Sequence, residues 1–225
     1  EAVERNAHHR PEIPDFTIRC FVTRGANVEQ LRASGPPNVC VPVELIELRA
    51  FARLFKEGAH GVIARTRSYP VESLDSKIKH YSRMNFNLAE LEAADVDPDA
   101  WPVLTDTDGN ITEGTSNNVF LVTDGVIRTP GDRNILKGGS RNMVFDLAAQ
   151  LGLSLIEEDL QPYDLYTSDE VFFSRTGPCV LPVTRVDNRK VADGKPGPVT
   201  HQLLAAWSEA VGVDIVGQSE DLASR

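Results

Sequence analysis

The sequence contains few cysteines, and those that are present follow no disulfide or metal-binding pattern. Cys20, Cys40 and Cys179 are odd in number and widely spaced, with no Cys-x-x-Cys pair and no histidine cluster nearby. Neither a disulfide framework nor a zinc site is therefore indicated. We expect a protein of the reducing cytoplasm that holds no metal.

Long apolar runs and an excess of positive charge are also absent. No apolar run reaches the roughly 18 residues that a membrane span requires, and the first residues lack the basic-then-apolar order of a signal peptide. Lys and Arg total 23 against 33 Asp and Glu, so the formal net charge is -10. Because such a chain repels phosphate backbones and anionic lipid surfaces, we expect neither nucleic acid nor a membrane as a partner.

The composition is that of a globular protein. A hydrophobic content of 41% in 225 residues is enough to bury a sizeable core, in one large domain or two small ones. Polar residues around Pro70 favour a connection between domains at that point. We predict a small N-terminal domain at 1–66, an interdomain connection at 67–75, a larger domain at 76–216 and a frayed tail at 217–225.

Hydrophobic periodicity and turn residues predict the main elements. The segment 45–55 has a mixed pattern that suits a short helix or a strand extension, and Gly58 should stop it. Helices are expected at 86–93, from Ser140 to Gly152, and from Pro198 to Val211. Strands are expected at 16–23, 39–43, 62–64, 101–105, 119–122, 126–129, 171–174 and 180–183.

Three separated features carry residue types that could bind a ligand or take part in catalysis. Glu113 lies between two predicted hairpins, Lys79 lies upstream on a segment expected to be extended, and Gly138-Gly139-Ser140 opens a helix. The unpaired N–H groups of a helix N-terminus suit a phosphate. An amine, an acid and a phosphate site together fit pyridoxal 5′-phosphate, although each feature alone is more often a solvated side chain or a simple cap.

Five motifs follow one another along the chain: Ile78-Lys79, Thr112-Glu113-Gly114-Thr115-Ser116-Asn117-Asn118-Val119-Phe120, Arg128-Thr129-Pro130, Leu136-Lys137-Gly138-Gly139-Ser140-Arg141 and Phe173-Ser174-Arg175-Thr176-Gly177. In this order they resemble the class IV pyridoxal-phosphate aminotransferases. That family includes branched-chain aminotransferases, D-amino-acid aminotransferases, (R)-selective amine transaminases and aminodeoxychorismate lyases. The resemblance implies an α+β fold, with a small α/β N-terminal domain and a larger β-barrel-like C-terminal domain with packed helices, and it implies a homodimer.

The resemblance assigns the two central roles to Lys79 and Glu113. Lys79 becomes the Schiff-base lysine, which also moves the proton between the substrate and the cofactor. Glu113 becomes the partner of the pyridine nitrogen. Lys77 is the rival lysine, since residues two apart on a strand share a face. The step of 34 residues from Lys79 to Glu113 (113 minus 79) favours Lys79.

The resemblance assigns the remaining cofactor contacts to the loops and helix that follow Glu113. Leu136 would pack on the ring face, and the phosphate would be bound by Gly139, Ser140 and Thr176. Asn117 and Asn118 are expected to fix the backbone around Glu113. Arg141, in the first turn of the helix, could be a phosphate neighbour or a surface residue, and we favour the surface position.

Substrate recognition is assigned to three positions. The backbone N–H of Gly177 could receive a substrate carboxylate, and Arg24 or Arg32 could set the accepted substrate charge. A surface position is the alternative for Arg32. The family's upstream phosphate-binding arginine has no counterpart in this sequence, so either a leading segment is absent or the phosphate is held differently.

These observations predict an enzyme. We expect a pyridoxal-phosphate-dependent transaminase that moves an amino group between an amino acid or amine and a 2-oxo acid. Lys79-His80 together with Arg83 is closer to the lyase branch, so an aminodeoxychorismate lyase-type enzyme is the alternative. A non-catalytic family member is the third hypothesis, because the upstream arginine is missing.

Overall fold

The computed structural model describes residues 4, 16–25 and 36–224, except for the side chain of Leu45. The chain divides into two compact units, Glu1–Glu47 and Leu48–Arg225. In the described part of the first unit, strand β1 (Phe16–Ile18) pairs antiparallel with β4 (Val43–Leu45), and β2 (Phe21–Thr23) pairs antiparallel with β3 (Asn38–Cys40).

The strands expected at 16–23 and 39–43 are therefore each interrupted. Arg19 and Cys20 separate β1 from β2, and the backbone N–H of Arg19 donates to the carbonyl of Pro42 at 3.1 Å. The chain changes its pairing partner at this break. Apolar alternation continues across the break, which is why the sequence pattern predicts one strand.

The second unit is built on a nine-stranded sheet. Its strand order is β10-β9-β8-β11-β12-β5-β6-β7, with β13 beside β12, and β7 also pairs with β8. The strands from β8 to β7 in this order therefore close into a ring, which removes the free edges of that part of the sheet. The strands are β5 (Ala59–Arg67), β6 (Trp101–Thr105), β7 (Ile111–Gly114), β8 (Asn118–Thr123), β9 (Val126–Thr129), β10 (Leu155–Glu157), β11 (Glu170–Arg175), β12 (Cys179–Val186) and β13 (Arg189–Lys190).

Helices pack against the strands of this barrel. The helices are α1 (Ala52–Glu57, after a 3-10 turn at Leu48–Phe51), α2 (Met84–Ala94), α3 (Gly139–Gln150), α4 (Pro162–Thr167), α5 (Pro198–Val211) and α6 (Ile215–Ala223). Those expected near 86–93, after Ser140 and from Pro198 are confirmed. Gly58, at φ 78°, ends α1 as expected. No helix in the described residues has the length and apolarity to span a membrane.

Side-chain alternation along β8 divides the core into two layers. Val119 and Leu121 belong to the cluster inside the barrel, and Phe120 and Val122 belong to the cluster beneath α3 and α5. Phe120 stacks on Phe172 of β11 with ring centroids 5.0 Å apart. Because both faces of β8 are buried, the strand reads as a continuous apolar run.

Two predicted domain limits differ from the units seen in the structure. The predicted small domain includes β5, yet this strand pairs in parallel with β12 and β6 inside the barrel, and the two compact units divide between Glu47 and Leu48. The expected frayed tail contains most of helix α6. Asp214 caps the start of this helix, because its carboxylate accepts the backbone N–H of Gly217 at 3.0 Å. Both limits depend on contacts that a local hydrophobic pattern does not reveal.

Candidate active site

Glu113 is a buried carboxyl group at the end of a barrel strand. It lies on β7 opposite Asn118 of β8, and 7% of its surface is exposed. Its Oε2 accepts the backbone N–H of Leu136 at 3.0 Å and the side-chain amide of Asn118 at 3.3 Å. Within the described residues no hydrogen bond reaches Oε1. One carboxyl oxygen is thus held, and the other is left for a ligand.

Burial dominates the protonation of Glu113. It raises the pKa of this carboxyl group to about 8, while the Leu136 N–H and the positive charges of Arg83 and Lys79 act in the opposite direction. The two cations must lie near Glu113 to act on it. The positive charge of Lys79 therefore acts on the Glu113 carboxyl group, and their shared role in one site stays a prediction.

Lys79 lies in an irregular segment that connects β5 to α2, and this differs from the extended strand expected for it. Two hydrogen bonds fasten that segment next to Glu113 and Leu136. Ser68 Oγ and Thr112 Oγ1 are 2.6 Å apart, and Ser76 Oγ donates to the carbonyl of Ile135 at 3.2 Å. The Lys79 side chain is exposed.

The rival lysine, Lys77, has a different environment. Its ammonium group is 3.6 Å from the carboxylate of Asp75, and its charge acts on Asp132. Glu113 is not among the groups whose pKa responds to Lys77. Because the segment is not a strand, the argument that the two lysines share one face does not hold.

Arg83 is a site neighbour for which sequence reasoning provides no role near Glu113. Its guanidinium donates to the carbonyl of Thr115, in the turn after Glu113, and lies 4.4 Å from the ring centroid of Phe86. It therefore ties the lysine-bearing segment to the β7–β8 turn. In the sequence, Arg83 is noticeable only by its position four residues after Lys79. That position helps to distinguish the lyase from the aminotransferases, but it does not predict a contact near Glu113.

Leu136, Gly139 and Ser140 lie on the approach to α3 and on its first turn. Leu136 is half-buried, and its N–H holds Glu113. The helix begins at Gly139, where a Cβ would have no atom within 4 Å. The first N–H groups of a helix have no intrahelical acceptor, so this end offers donors to an anion in open space.

Thr176 and Gly177 lie in the turn between β11 and β12. Ser174, two residues before Thr176, pairs with Asn118, and Asn118 pairs on its other side with Glu113. The turn therefore comes directly after the cross-strand row Glu113, Asn118 and Ser174. Thr176 is exposed, whereas Gly177 is half-buried. A Cβ on Gly177 would lie 3.0 Å from the Phe51 ring, so the ring packs closely on this glycine. The Ser174 hydroxyl is buried and has no hydrogen-bond partner within the described residues.

Not every predicted site residue belongs to the described part of the second compact unit. Arg24 is exposed just after β2, in the first compact unit. Arg32 lies outside the described residues. Their assignment to substrate binding stays a prediction.

Arg141 is buried, so the expected surface position is wrong. Only 5% of it is exposed, and its guanidinium donates to the carbonyl of Pro130 at 3.1 Å and pairs with the carboxylate of Glu157. It also lies 4.6 Å from the ring centroid of Phe145. These partners, from β10 and the loop after β9, explain why an arginine in the first turn of a helix faces inward.

The donor set suits a planar cationic ring that carries an anionic group. Glu113 Oε1 can face a protonated ring nitrogen, the exposed amine of Lys79 is a nucleophile, and the start of α3 can receive a phosphate. The unpartnered hydroxyl of Ser174 is a further buried donor in the same row. The residues present therefore fit pyridoxal 5′-phosphate.

Comparison with known proteins gives the same family as the motifs. The model of the family described as Amino-transferase class IV matches residues 1–186. A putative branched-chain-amino-acid aminotransferase of Methanocaldococcus jannaschii is 34% identical over 201 residues, which cover 87% of this chain and 67% of the relative. The branched-chain-amino-acid aminotransferase of Pseudomonas aeruginosa is 33% identical over 199 residues, with 86% of this chain and 64% of that protein covered.

Solved structures share the fold. The branched-chain amino acid aminotransferase of T.th. with pyridoxamine 5′-phosphate superposes with a TM-score of 0.82 at 26% identity, covering 94% of this chain and 70% of that one. The same enzyme complexed with N-(5′-phosphopyridoxyl)-L-glutamate gives a TM-score of 0.79 at 26% identity, covering 92% and 68%. The expected α+β fold with a barrel-like larger domain is confirmed, and the chain spans about two thirds of these relatives.

Proposed function

Since the chain belongs to the class IV aminotransferase family, we propose that it uses pyridoxal 5′-phosphate to move an amino group between an amino acid or amine and a 2-oxo acid. The observation that supports this most is the buried Glu113 carboxyl group, held through Oε2 and lying within the electrostatic reach of Lys79. The ionised form of a buried acid is costly unless a cation pairs with it. A protonated ring nitrogen supplies that charge.

Lys79 and Glu113 perform the chemistry in this proposal. When bound, the cofactor supplies an aldehyde and a ring that accepts the electrons left when the substrate's alpha proton is removed. Lys79 Nζ would hold the cofactor through its aldehyde carbon, with loss of water, and as a free amine it would accept the substrate's alpha proton. Glu113 keeps the ring nitrogen protonated through Oε1.

The other predicted residues hold and orient. Leu136 packs against the ring, while the N–H groups of Gly139 and Ser140 and the hydroxyl of Ser140 bind the phosphate, with Thr176 adding a hydroxyl. The Gly177 N–H receives the substrate carboxylate. Arg24 and Arg32 remain the candidates that set substrate charge.

Branched-chain amino acids are the first donors to test, because the named relatives are branched-chain-amino-acid aminotransferases. The same relatives favour a transaminase over the lyase and over a non-catalytic protein. Conversion of the cofactor to its amine form by L-leucine or D-leucine would support transamination and report the stereochemical preference. Release of pyruvate from aminodeoxychorismate without that conversion would favour the lyase.

Lys79 is tested against a matched lysine two residues away. Purified protein with added cofactor should show a visible absorbance band that borohydride fixes irreversibly. We expect Lys79→Ala to abolish the band and the reaction with amino donors, because its amine forms the covalent link. Lys77→Ala should retain both, since Lys77 lies beside Asp75. Loss of the band in Lys77→Ala alone, or no band in the wild-type protein, would contradict the proposal.

We further propose that the enzyme is a cytoplasmic homodimer. The three cysteines are free thiols in the structure, which suits a reducing compartment. Met84, Leu88 and Leu91 are exposed at helical spacing on α2, an apolar stripe of the kind that interfaces cover. Light scattering of the eluting protein should give twice the mass of 24.7 kDa; a monomer at micromolar concentration would contradict the homodimer.

A further inference from the structure

Asn118 joins three parts of the candidate site through one side chain. It is the first residue of β8, it is registered opposite Glu113 on one side and Ser174 on the other, and 5% of its surface is exposed. Its Nδ2 donates to Glu113 Oε2 at 3.3 Å and to the carbonyl of Leu136 at 2.9 Å. A Cβ on Gly138 would lie 2.4 Å from its Oδ1.

The contacts fix which way the amide faces. The carbonyl oxygen of Leu136 can only accept, so the Asn118 atom beside it must be the nitrogen. That nitrogen carries two hydrogens, and two oxygens lie within hydrogen-bond distance of it. The amide therefore has no donor left over, and both of its bonds are made to groups of the candidate site.

The result is an asymmetric carboxyl group. Glu113 Oε2 receives both the Asn118 amide and the Leu136 N–H, whereas Oε1 receives no hydrogen bond from the described residues. The Asn118 amide also holds the Leu136 carbonyl, so the group that anchors the ring nitrogen and the residue assigned to the ring face are fixed by the same side chain.

We propose that Asn118 is a positioning residue, which holds Glu113 by Oε2 and Leu136 by its carbonyl so that Oε1 is presented to a cationic ring nitrogen. This inference rests on the proposed function for the identity of the ring. It assigns Asn118 more than the backbone-fixing role expected from sequence, because its amide acts on the orientation and the charge of the Glu113 carboxyl group itself.

The first test uses cofactor-free protein, so that it does not depend on the proposed function. The Glu113 carboxyl carbon is followed by 13C NMR as the pH is raised, and its signal is identified by its loss in Glu113→Gln. The wild-type midpoint is expected at about 8. Asn118→Asp should raise the midpoint by roughly one unit or more, because it removes a donor and adds a like charge.

Asn142→Asp is the matched control for this variant. Asn142 is an exposed residue of α3, and its substitution makes the same chemical change at a side chain that makes no hydrogen bond to Glu113 in the described residues. It should leave the midpoint unaltered. An Asn118→Asp midpoint equal to that of the wild-type protein would overturn the positioning role.

A second measurement needs no variant of Asn118 and covers the case in which Asn118→Asp fails to fold. The side-chain amide signal of Asn118 in wild-type protein should shift with the same midpoint as Glu113, because the two groups are hydrogen-bonded. That shift should vanish in Glu113→Gln. An Asn118 amide signal that ignores the titration of Glu113 would contradict the proposal.

The loaded enzyme gives the third readout. At neutral pH, Asn118→Asp should retain the borohydride-fixable band, since Lys79 is unchanged, but should react with an amino donor about tenfold more slowly or worse for each unit by which the Glu113 midpoint rises. A wild-type protein that binds no cofactor but shows the coupled titrations would refute the proposed function and leave the role of Asn118 standing. Cofactor chemistry without the coupled titrations would refute the role of Asn118 and leave the proposed function standing.

Discussion

At the residue scale, the environment of Glu113 decides which state of its carboxyl group the site presents. Burial favours the neutral acid in the cofactor-free protein and raises its pKa to about 8, against the opposing effects of the Leu136 N–H, Arg83 and Lys79. A cationic ring nitrogen next to Oε1 would favour the ionised form. Glu113 is thus arranged to become charged when its ligand arrives.

The buried Glu113 carboxyl group should make the stability of the cofactor-free protein depend on pH. Below about pH 4.5 both the folded and the unfolded protein hold the proton on Glu113; between about 4.5 and 8 the unfolded chain releases it while the folded protein keeps it. The unfolded state therefore binds fewer protons, and wild-type stability falls as the pH rises through this window, at up to about 1.4 kcal/mol per pH unit from this group.

Glu113→Gln removes that dependence while its amide oxygen can still accept the Leu136 N–H. The free energy of unfolding is measured by urea denaturation. We expect the value for the variant minus the value for the wild type to increase steadily from about pH 5 to about pH 8. Glu209→Gln, at an exposed position of α5, serves as the control and should track the wild type. A constant difference between Glu113→Gln and wild type across this range would refute the raised pKa. Transamination by Glu113→Gln should be severely reduced.

At the element scale, helix α5 starts on a buried carboxylate that the sequence does not reveal. Glu170, the first residue of β11, accepts the backbone N–H of Val199 at 2.8 Å, and it accepts the N–H and the hydroxyl of Thr200 at 2.9 and 2.7 Å. An anion at this position satisfies donors that the helix leaves unpaired and complements its dipole. The contact spans 29 residues or more and fixes α5 to the barrel.

Glu170→Ala should lower the free energy of unfolding by about 3 kcal/mol, because it leaves several buried donors without an acceptor. Glu170→Gln is the matched variant, and we expect a smaller loss, since its amide oxygen still accepts. Urea denaturation monitored by circular dichroism measures both. Equal stability of Glu170→Ala and wild type would show that the carboxylate does not stabilise the start of α5.

The elements that could be predicted are those specified by local sequence. The β8–β9 hairpin follows from Asp124-Gly125, whose φ angles are 52° and 74°, and the strand at Trp101–Thr105 follows from its apolar run. The partners of an element could not be predicted in this way. The pairing of β5 with β12 joins residues far apart in the chain, as in Ala59 with Val183, and no periodicity encodes it.

The site follows the same division. Motif order is enough to predict Lys79 and Glu113 as site residues. The hydrogen bond between Glu113 and Leu136 and the one from Arg83 to Thr115 instead depend on how loops fold back. The burial of Arg141 has the same origin, because its carboxylate partner comes from β10. Motifs thus indicate which residues act, and tertiary contacts decide how each is held.

At the scale of the whole molecule, ring closure explains how distant segments converge. Pairing of β7 with both β6 and β8 brings the Glu113 strand, the turn after β11 and the start of α3 into one neighbourhood. The lysine-bearing segment is fastened to the same end by Ser68 and Ser76. A protein with a net charge of -10 thereby gathers Lys79, Arg83 and a helix N-terminus around one buried acid.

The covalent link at Lys79 is the central claim, and locating it is its most direct test. Protein loaded with pyridoxal 5′-phosphate is reduced with borohydride and digested, and the modified residue is identified by fragment-ion sequencing. We expect a single phosphopyridoxyl group on Lys79 and an unmodified Lys77. A group on Lys77, a distribution over several lysines, or no modification at saturating cofactor would contradict the account.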